Sequence, residues 1–170
     1  DPAIFARSTE ECQALTQAGI GFAIVPGITA ASGLSAGCGI ALTQRDCAQS
    51  VRFITARMQQ AETEPDWQAL ATASEQETLV FYMGLSKVSA ICHGLRQAGL
   101  PDEWPIMLVA NASQREQQSL VGSLADMPEK LSATPLPSPC LIVVGSVVQR
   151  VATTPANLAT NFCFAQQTTP

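Results

Sequence analysis

The stretch TLVFYMGLSKVSAICHGLRQAG, residues 78–99, decides the fold class. Its first six residues, Thr78 to Met83, are an unbroken apolar run with the length and the β-branched and aromatic content of a buried strand. Gly84 breaks the run. From Ser86, expected to cap a helix, Val88, Ile91, Cys92, Leu95 and Ala98 recur at helical spacing on one stripe, which Gly99 ends. An all-apolar strand followed by an amphipathic helix is the unit of a sheet covered by helices. His93 is the only histidine; it falls off the stripe and reads as a solvated side chain.

The same alternation extends both ways. Towards the carboxyl end, Pro105–Ala110 reads as a strand and Gln117–Leu124 as an antiparallel one. A short helix is expected near Pro128–Ser132, then a buried strand from Cys140 to Val144 running toward Val148. Beyond Arg150 a Thr/Ala/Asn/Gln-rich tail shows no period. Towards the amino end, Asp66-Trp67 opens a short helix after a charged, flexible stretch from Arg57 to Pro65. Ser50–Thr55 reads as a strand with Val51 and Phe53 on one face. Ser8-Thr9-Glu10-Glu11 has the form of a capping box, opening a helix to about Ala18 that Gly19 stops. Phe22–Val25 is expected as a buried strand, Pro26-Gly27 as its turn, and Ile28 to about Cys38 as a helix of small residues. The expected architecture is α/β: a mixed, mostly parallel sheet flanked by helices. Such sheets take ligands at the carboxyl ends of their strands. The expected binding loops are therefore Pro26–Ala30, Met83–Leu85 and Asn111–Ser113.

Composition narrows the function. The 170 residues are 46% hydrophobic and only 14% charged, with net charge −5. That balance argues against a nucleic-acid groove or an anionic membrane as partner. Residues 12–44 contain no Lys, Arg, Asp or Glu, yet their many small residues and Pro26-Gly27 do not make a membrane span. No basic segment of a signal peptide precedes them. The six cysteines include no C-x-x-C pair, so no metal site is expected, and they read as reduced structural thiols of a cytoplasmic protein. No G-x-G-x-x-G, Walker or G-x-S-x-G motif occurs. Spacing and composition alone reach an α/β ligand binder of undetermined class.

Particular residues go further. Asp1-Pro2-Ala3-Ile4-Phe5-Ala6-Arg7, followed by Val25-Pro26-Gly27-Ile28-Thr29-Ala30-Ala31-Ser32-Gly33, resembles the tetrapyrrole methylase family. Leu42-Thr43-Gln44-Arg45-Asp46-Cys47-Ala48-Gln49-Ser50-Val51-Arg52-Phe53 is similar to the signature of its uroporphyrinogen-III C-methyltransferases. So are Leu79–Gly84 and Pro139–Gly145. The blocks occur in order and span Asp1 to about Arg150.

The resemblance implies methyl transfer from S-adenosylmethionine to two pyrrole carbons of uroporphyrinogen III. Precorrin-2, the precursor of sirohaem and cobalamin, and S-adenosylhomocysteine would be the products. It further implies a homodimer with no nucleic-acid or membrane partner. By position, Asp1, Ile4, Thr29, Ala30, Met83 and Ala112 would touch the cofactor. Arg45 and Glu10 would face the tetrapyrrole, and Arg7 would face it too and assist proton loss. Arginine is a poor base at a pKa above ~12 but pairs well with carboxylates.

The sequence also departs from the family. The family's glycine-rich loop is here Ala6-Arg7-Ser8-Thr9-Glu10-Glu11, and its His-Arg-Asp-Tyr is Gln44-Arg45-Asp46-Cys47. Its Asn-Gly-Thr is Asn111-Ala112-Ser113. Because the sequence opens part-way through a Gly-Asp-Pro motif, residues 1–25 are expected to be the end of an amino-terminal methylase domain. Residues 26–150 are expected to be the second domain and 151–170 a loose tail. Two alternatives stay open: a non-catalytic binding or dimerisation module, and a methylase of this fold with another acceptor.

Overall fold

In the computed structural model, which describes residues 1–56 and 65–153, helices α1 (Ser8–Gln17) and α2 (Ala30–Cys38) come first. They are followed by β1 (Ser50–Thr55), α3 (Trp67–Ser74), β2 (Glu77–Tyr82), α4 (Val88–Gln97) and β3 (Pro105–Ala110). Then come β4 (Gln118–Ser123), α5 (Met127–Ala133) and β5 (Cys140–Val144), with 3-10 turns at Leu85–Lys87 and Ser146–Thr153. Most of the expected flexible stretch and of the expected tail, and Cys163, lie outside the described residues.

The strands form one sheet in the order β1-β2-β5-β3-β4. It is mixed, as expected, but less parallel than expected: only β1 and β2 run side by side in parallel. β5 is antiparallel to both β2 and β3, and β4 is antiparallel to β3. The cause lies in the links. Residues 111–117 joining β3 to β4 are too few for a parallel crossover, which needs ~12 or more. β5 then enters between β2 and β3 in opposite sense, pairing Phe81 and Leu108 with Ile142 from its two sides.

Every β2 residue from Thr78 to Tyr82 is buried, because helices cover both faces of the sheet. Leu79 and Phe81 join Leu108 and Ile142 against Leu70 of α3, Val88, Ile91 and Leu95 of α4 and Met127 of α5. Val80 and Tyr82 face the other way, with Val109 and Val143, against Ala31 and Leu34 of α2. A one-residue slip would exchange the two sets, so the pattern also sets the register. α4 buries Val88, Ile91, Cys92 and Leu95 of the expected stripe and leaves His93 exposed, while Ala98 is half-buried at the C-cap. It meets α3 where Gly94 lets the Trp67 ring in: a Cβ there would stand 2.4 Å from Trp67 Cδ2.

Five expectations shift. Residues 22–25 are not a strand, because a strand needs a neighbour for its ladder and none lies beside them among the described residues. Phe22, Ile24 and Val25 stand 45%, 53% and 79% exposed there. Ser8 is not a cap: Arg7, left-handed at φ 57°, holds that position, so Ser8 already lies inside α1. α2 starts at Ala30 rather than Ile28, because Thr29 is extended and forms the N-cap. β2 ends at Tyr82, since Met83 turns to φ 55°. Finally, the 3-10 turn at Leu85–Lys87 delays α4, so Lys87 stands at the N-cap in place of Ser86. Gly84 is the residue that fits ahead of that turn, for a Cβ there would meet Ile142 Cδ1 at 2.8 Å.

At the opposite end of β2 from Met83, the Thr78 hydroxyl is buried without a hydrogen-bond partner among the described residues. Burying an unpaired hydroxyl costs about 1–3 kcal/mol, and valine has nearly the same shape. Thr78→Val is therefore expected to stabilise the fold by about 1 kcal/mol, raising Tm by ~2–4 °C in a chain of this size. A calorimetric Tm that stays put or falls contradicts this.

Candidate functional site

The carboxyl ends of β1, β2 and β3, and the start of the oppositely directed β5, open together on a cavity of ≈ 870 Å³. Ala30 contributes from α2 and Ala56 from the end of β1. Tyr82 and Met83 close the β2 side, Val109 and Ala112 the β3 side, and Pro139 to Leu141 the floor. Each of the three expected binding loops supplies at least one of these residues.

The local sequence explains how the loops are held. Tyr82 ends the β2 ladder with its carbonyl accepting from Ala56 N–H at 2.9 Å, which leaves Met83 free to turn outward, 49% exposed. Asn111 and Ser113 also take positive φ, at 51° and 67°. Asn111 N–H donates to the Pro139 carbonyl at 2.9 Å, and Ser113 N–H to Gln117 Oε1 at 2.9 Å. Non-glycine residues in this region each cost of order 1 kcal/mol and gather where a site is being shaped. The small residues of α2 let that loop come close. A Cβ on Gly33 would lie 2.7 Å from Ser113 Oγ, and one on Gly37 2.8 Å from Gln117 Oε1. The uncharged, small-residue stretch from 12 to 44 thus serves, in part, a tight approach of helix to loop.

Residues 1–7 form an arm across the α2 side. The Asp1 nitrogen donates to the Ile28 carbonyl at 2.6 Å, and Asp1 Oδ1 accepts from Ala3 N–H at 2.7 Å. Ile4 packs on the α2-side core, and the Phe5 ring lies 4.9 Å from that of Tyr82. Arg7 and Glu10 form an exposed ion pair, with Arg7 Nε also donating to Glu10 Oε1 at 3.2 Å. The hydrogen bond from Arg7 holds the Glu10 carboxyl below its ordinary range, and Glu10 holds the guanidinium above its own. The pair therefore persists from neutral pH to a lower pH than an unpaired glutamate would allow and is lost as pH falls through the lowered Glu10 value. A guanidinium held further from deprotonation is better suited to pairing with anions than to accepting protons.

Arg45 tops a tight loop closed by Gln44 and Ala48, which exchange hydrogen bonds of 2.8 Å in both directions. It is exposed and makes no ion pair among the described residues.

The structure thus brings Ala30, Met83 and Ala112 onto one cavity, with Thr29 beside it. Asp1 and Ile4 lie on the arm, Arg7 and Glu10 pair with each other, and Arg45 stands on a separate loop. Sequence reasoning missed Tyr82 and the Pro139–Leu141 floor. The signal for Tyr82 was available: a polar-tipped aromatic closing an otherwise apolar strand needs a buried partner.

Cys140 lies on the floor, and burial pushes its thiol up to about 11, as it does that of Cys92. Such thiols are inert at neutral pH. The five described cysteines are all unpaired. Among the described residues no cluster of His, Cys, Asp and Glu could hold a metal ion, and no helix is long and apolar enough to cross a membrane.

Residues 1–128 match the profile of the tetrapyrrole (corrin/porphyrin) methylases. A siroheme synthase of Psychrobacter sp. (strain PRwf-1) is 45% identical over 149 residues, covering 88% of this chain and 30% of that protein. One of Edwardsiella ictaluri is 49% identical over 148 residues, covering 87% and 31%. The chain thus spans about 30% of the length of these curated relatives. The solved structure of the uroporphyrin-III C-methyltransferase of Thermus thermophilus complexed with S-adenosylhomocysteine superposes with a TM-score of 0.72 at 27% identity. That match covers 88% of this chain and 64% of the other. A cobalt precorrin-4 methyltransferase shares the fold, with a TM-score of 0.77 at 20% identity over 87% of this chain and 62% of its own.

Proposed function

The chain belongs to the tetrapyrrole (corrin/porphyrin) methylases, and on that premise we propose that its ≈ 870 Å³ cavity holds S-adenosylmethionine for C-methylation of uroporphyrinogen III to precorrin-2. The observation that carries this reading is the meeting of Ala30, Met83 and Ala112 on that one cavity. The lining suits the ligand. Met83, Leu85, Val109 and Leu141 offer the apolar walls that a purine and a sulfur-borne alkyl chain need. The volume also lies within the ~300–1,000 Å³ range of small-molecule sites.

When bound, S-adenosylmethionine supplies an electrophilic methyl group. The chain's own residues bind and orient. Thr29, with Asp1 and Ile4 on the arm, lines the α2 side of the ligand, and Met83 and Ala112 flank it. Arg7, Glu10 and Arg45 serve the acceptor: the arginines pair with the tetrapyrrole's carboxylates, and Glu10 fixes the Arg7 guanidinium. Arg7, paired with the acceptor's carboxylates, sits beside the ring that loses a proton after methylation. The cytoplasm and a homodimer are the setting we propose with it.

The 170 residues supply part of the cleft rather than all of it. In support, Ala30 and Met83 are exposed at the cavity mouth, and Ile20, Phe22, Ile24, Val25 and Ile28 stand uncovered nearby on the chain.

Arg45→Ala separates acceptor from cofactor. Loss of one charge-assisted hydrogen bond is worth ~1.5–3 kcal/mol, or about tenfold or more in affinity. Uroporphyrin binding, followed by its fluorescence, is expected to weaken about tenfold, and S-adenosylhomocysteine binding less than about twofold. Equal losses for both ligands contradict the assignment of Arg45 to the acceptor side.

A further inference from the structure

Tyr82 does more than fill the core. Its hydroxyl lies 2.5 Å from Thr29 Oγ1 and accepts from Ala31 N–H at 3.1 Å. Thr29 is the N-cap of α2, yet its side chain caps no backbone N–H. An N-cap threonine ordinarily accepts from the second or third helical N–H. Here Ala31 is the second helical residue, and the Tyr82 phenol has taken that place. The Thr29 hydroxyl is turned to the phenol instead.

The same ring meets Phe5 of the arm in a tilted contact at 4.9 Å and Phe53 of β1 edge-on at 5.8 Å. The next residue in the chain is Met83. Tyr82 is only 8% exposed, so these contacts are shielded from water, where a hydrogen bond is stronger and its loss more costly.

We propose that Tyr82 is a positioning residue of the cofactor site: by capping α2 in place of Thr29, its phenol fixes the Thr29 hydroxyl and Ala30 at the cavity rim opposite Met83. The inference rests on the reading of the cavity as the S-adenosyl site and assigns Tyr82 no contact with the reacting atoms. Its consequence is a coupling between two side chains far apart in sequence. Removing the phenol oxygen frees the Thr29 rotamer, and removing the Thr29 hydroxyl leaves the phenol only the Ala31 N–H to hold.

The test uses the full 170-residue chain and S-adenosylhomocysteine, titrated by amide NMR well below Tm into wild type, Tyr82→Phe, Thr29→Val and the double variant. Tyr82→Phe keeps both ring contacts and deletes only the hydroxyl. It is expected to weaken binding about three- to tenfold, the size of one buried neutral hydrogen bond. In the Thr29→Val background the same change is expected to cost less than about twofold, and without ligand the Ala31 amide exchanges faster in Tyr82→Phe.

A lowered Tm with unchanged affinity makes Tyr82 merely structural and overturns the proposal, as do strictly additive losses. Thr29→Val, which keeps the phenol, is the second variant, and unchanged affinity there also overturns it. Absence of any wild-type response at the cavity amides overturns the cavity reading itself, whereas a wild-type response that Tyr82→Phe leaves intact overturns this inference alone.

Discussion

Ala30→Trp is expected to abolish measurable binding of S-adenosylhomocysteine while leaving the fold intact. Ala30 is the first residue of α2; it is exposed and lines the cavity, so an indole there enters the space rather than the core. Blocking a preformed pocket removes the ligand's contacts outright, a loss of several kcal/mol and so of more than about a hundredfold in affinity. Tm should move by less than ~3 °C, since surface changes are usually within about 0.5 kcal/mol. Amide NMR titration and calorimetry on the same sample check both halves. Affinity within threefold of wild type contradicts the placement of the cofactor.

Phe81→Ala is expected to do the reverse. Phe81 is 1% exposed and faces α3 and α4, on the side of β2 away from Tyr82. Its neighbour across the sheet is Ile142, so truncation leaves a cavity that the paired strands cannot close. Such losses cost about 3–5 kcal/mol, roughly 6–20 °C of Tm in a chain of this length. Below the lowered Tm, ligand affinity should stay within about twofold, because the layer that carries α2 and Tyr82 is untouched. A Tm loss under ~3 °C contradicts the two-layer core, and a tenfold affinity loss contradicts the separation of core from cavity. Taken with Ala30→Trp, the pair dissociates stability from binding.

What could be read from the sequence divides along a physical line. The strand and helix at 78–99 were legible because their signals are self-contained: an apolar run, a 3.6-residue stripe and a terminating glycine. The expected strand at 22–25 has equal β propensity, but pairing is a property of the neighbours, and among the described residues none is present. The sheet's sense misled for a related reason, since the insertion of β5 between β2 and β3 joins strands far apart in sequence. Arg7 took the cap position from Ser8 through a left-handed φ that its side chain does not advertise.

At the site, the rule placing ligands at carboxyl ends of strands indicated three loops, and the family resemblance indicated residues within them. Tyr82 signalled a buried partner, but that partner, Thr29, lies 53 residues away and only the fold brings it there. The fourth wall, Pro139–Leu141, escaped because only the antiparallel course of β5 brings its beginning, rather than its end, to the cavity.

The most direct measurement is an amide NMR titration of the wild-type chain with S-adenosylhomocysteine to several millimolar. The expected result is a single saturable transition, weak on the proposal that the chain supplies only part of the cleft, in which the amides of Ala30, Met83 and Ala112 shift together. Silence at those three amides, or shifts confined to other surfaces, contradicts the central claim, and submicromolar affinity contradicts the partial cleft.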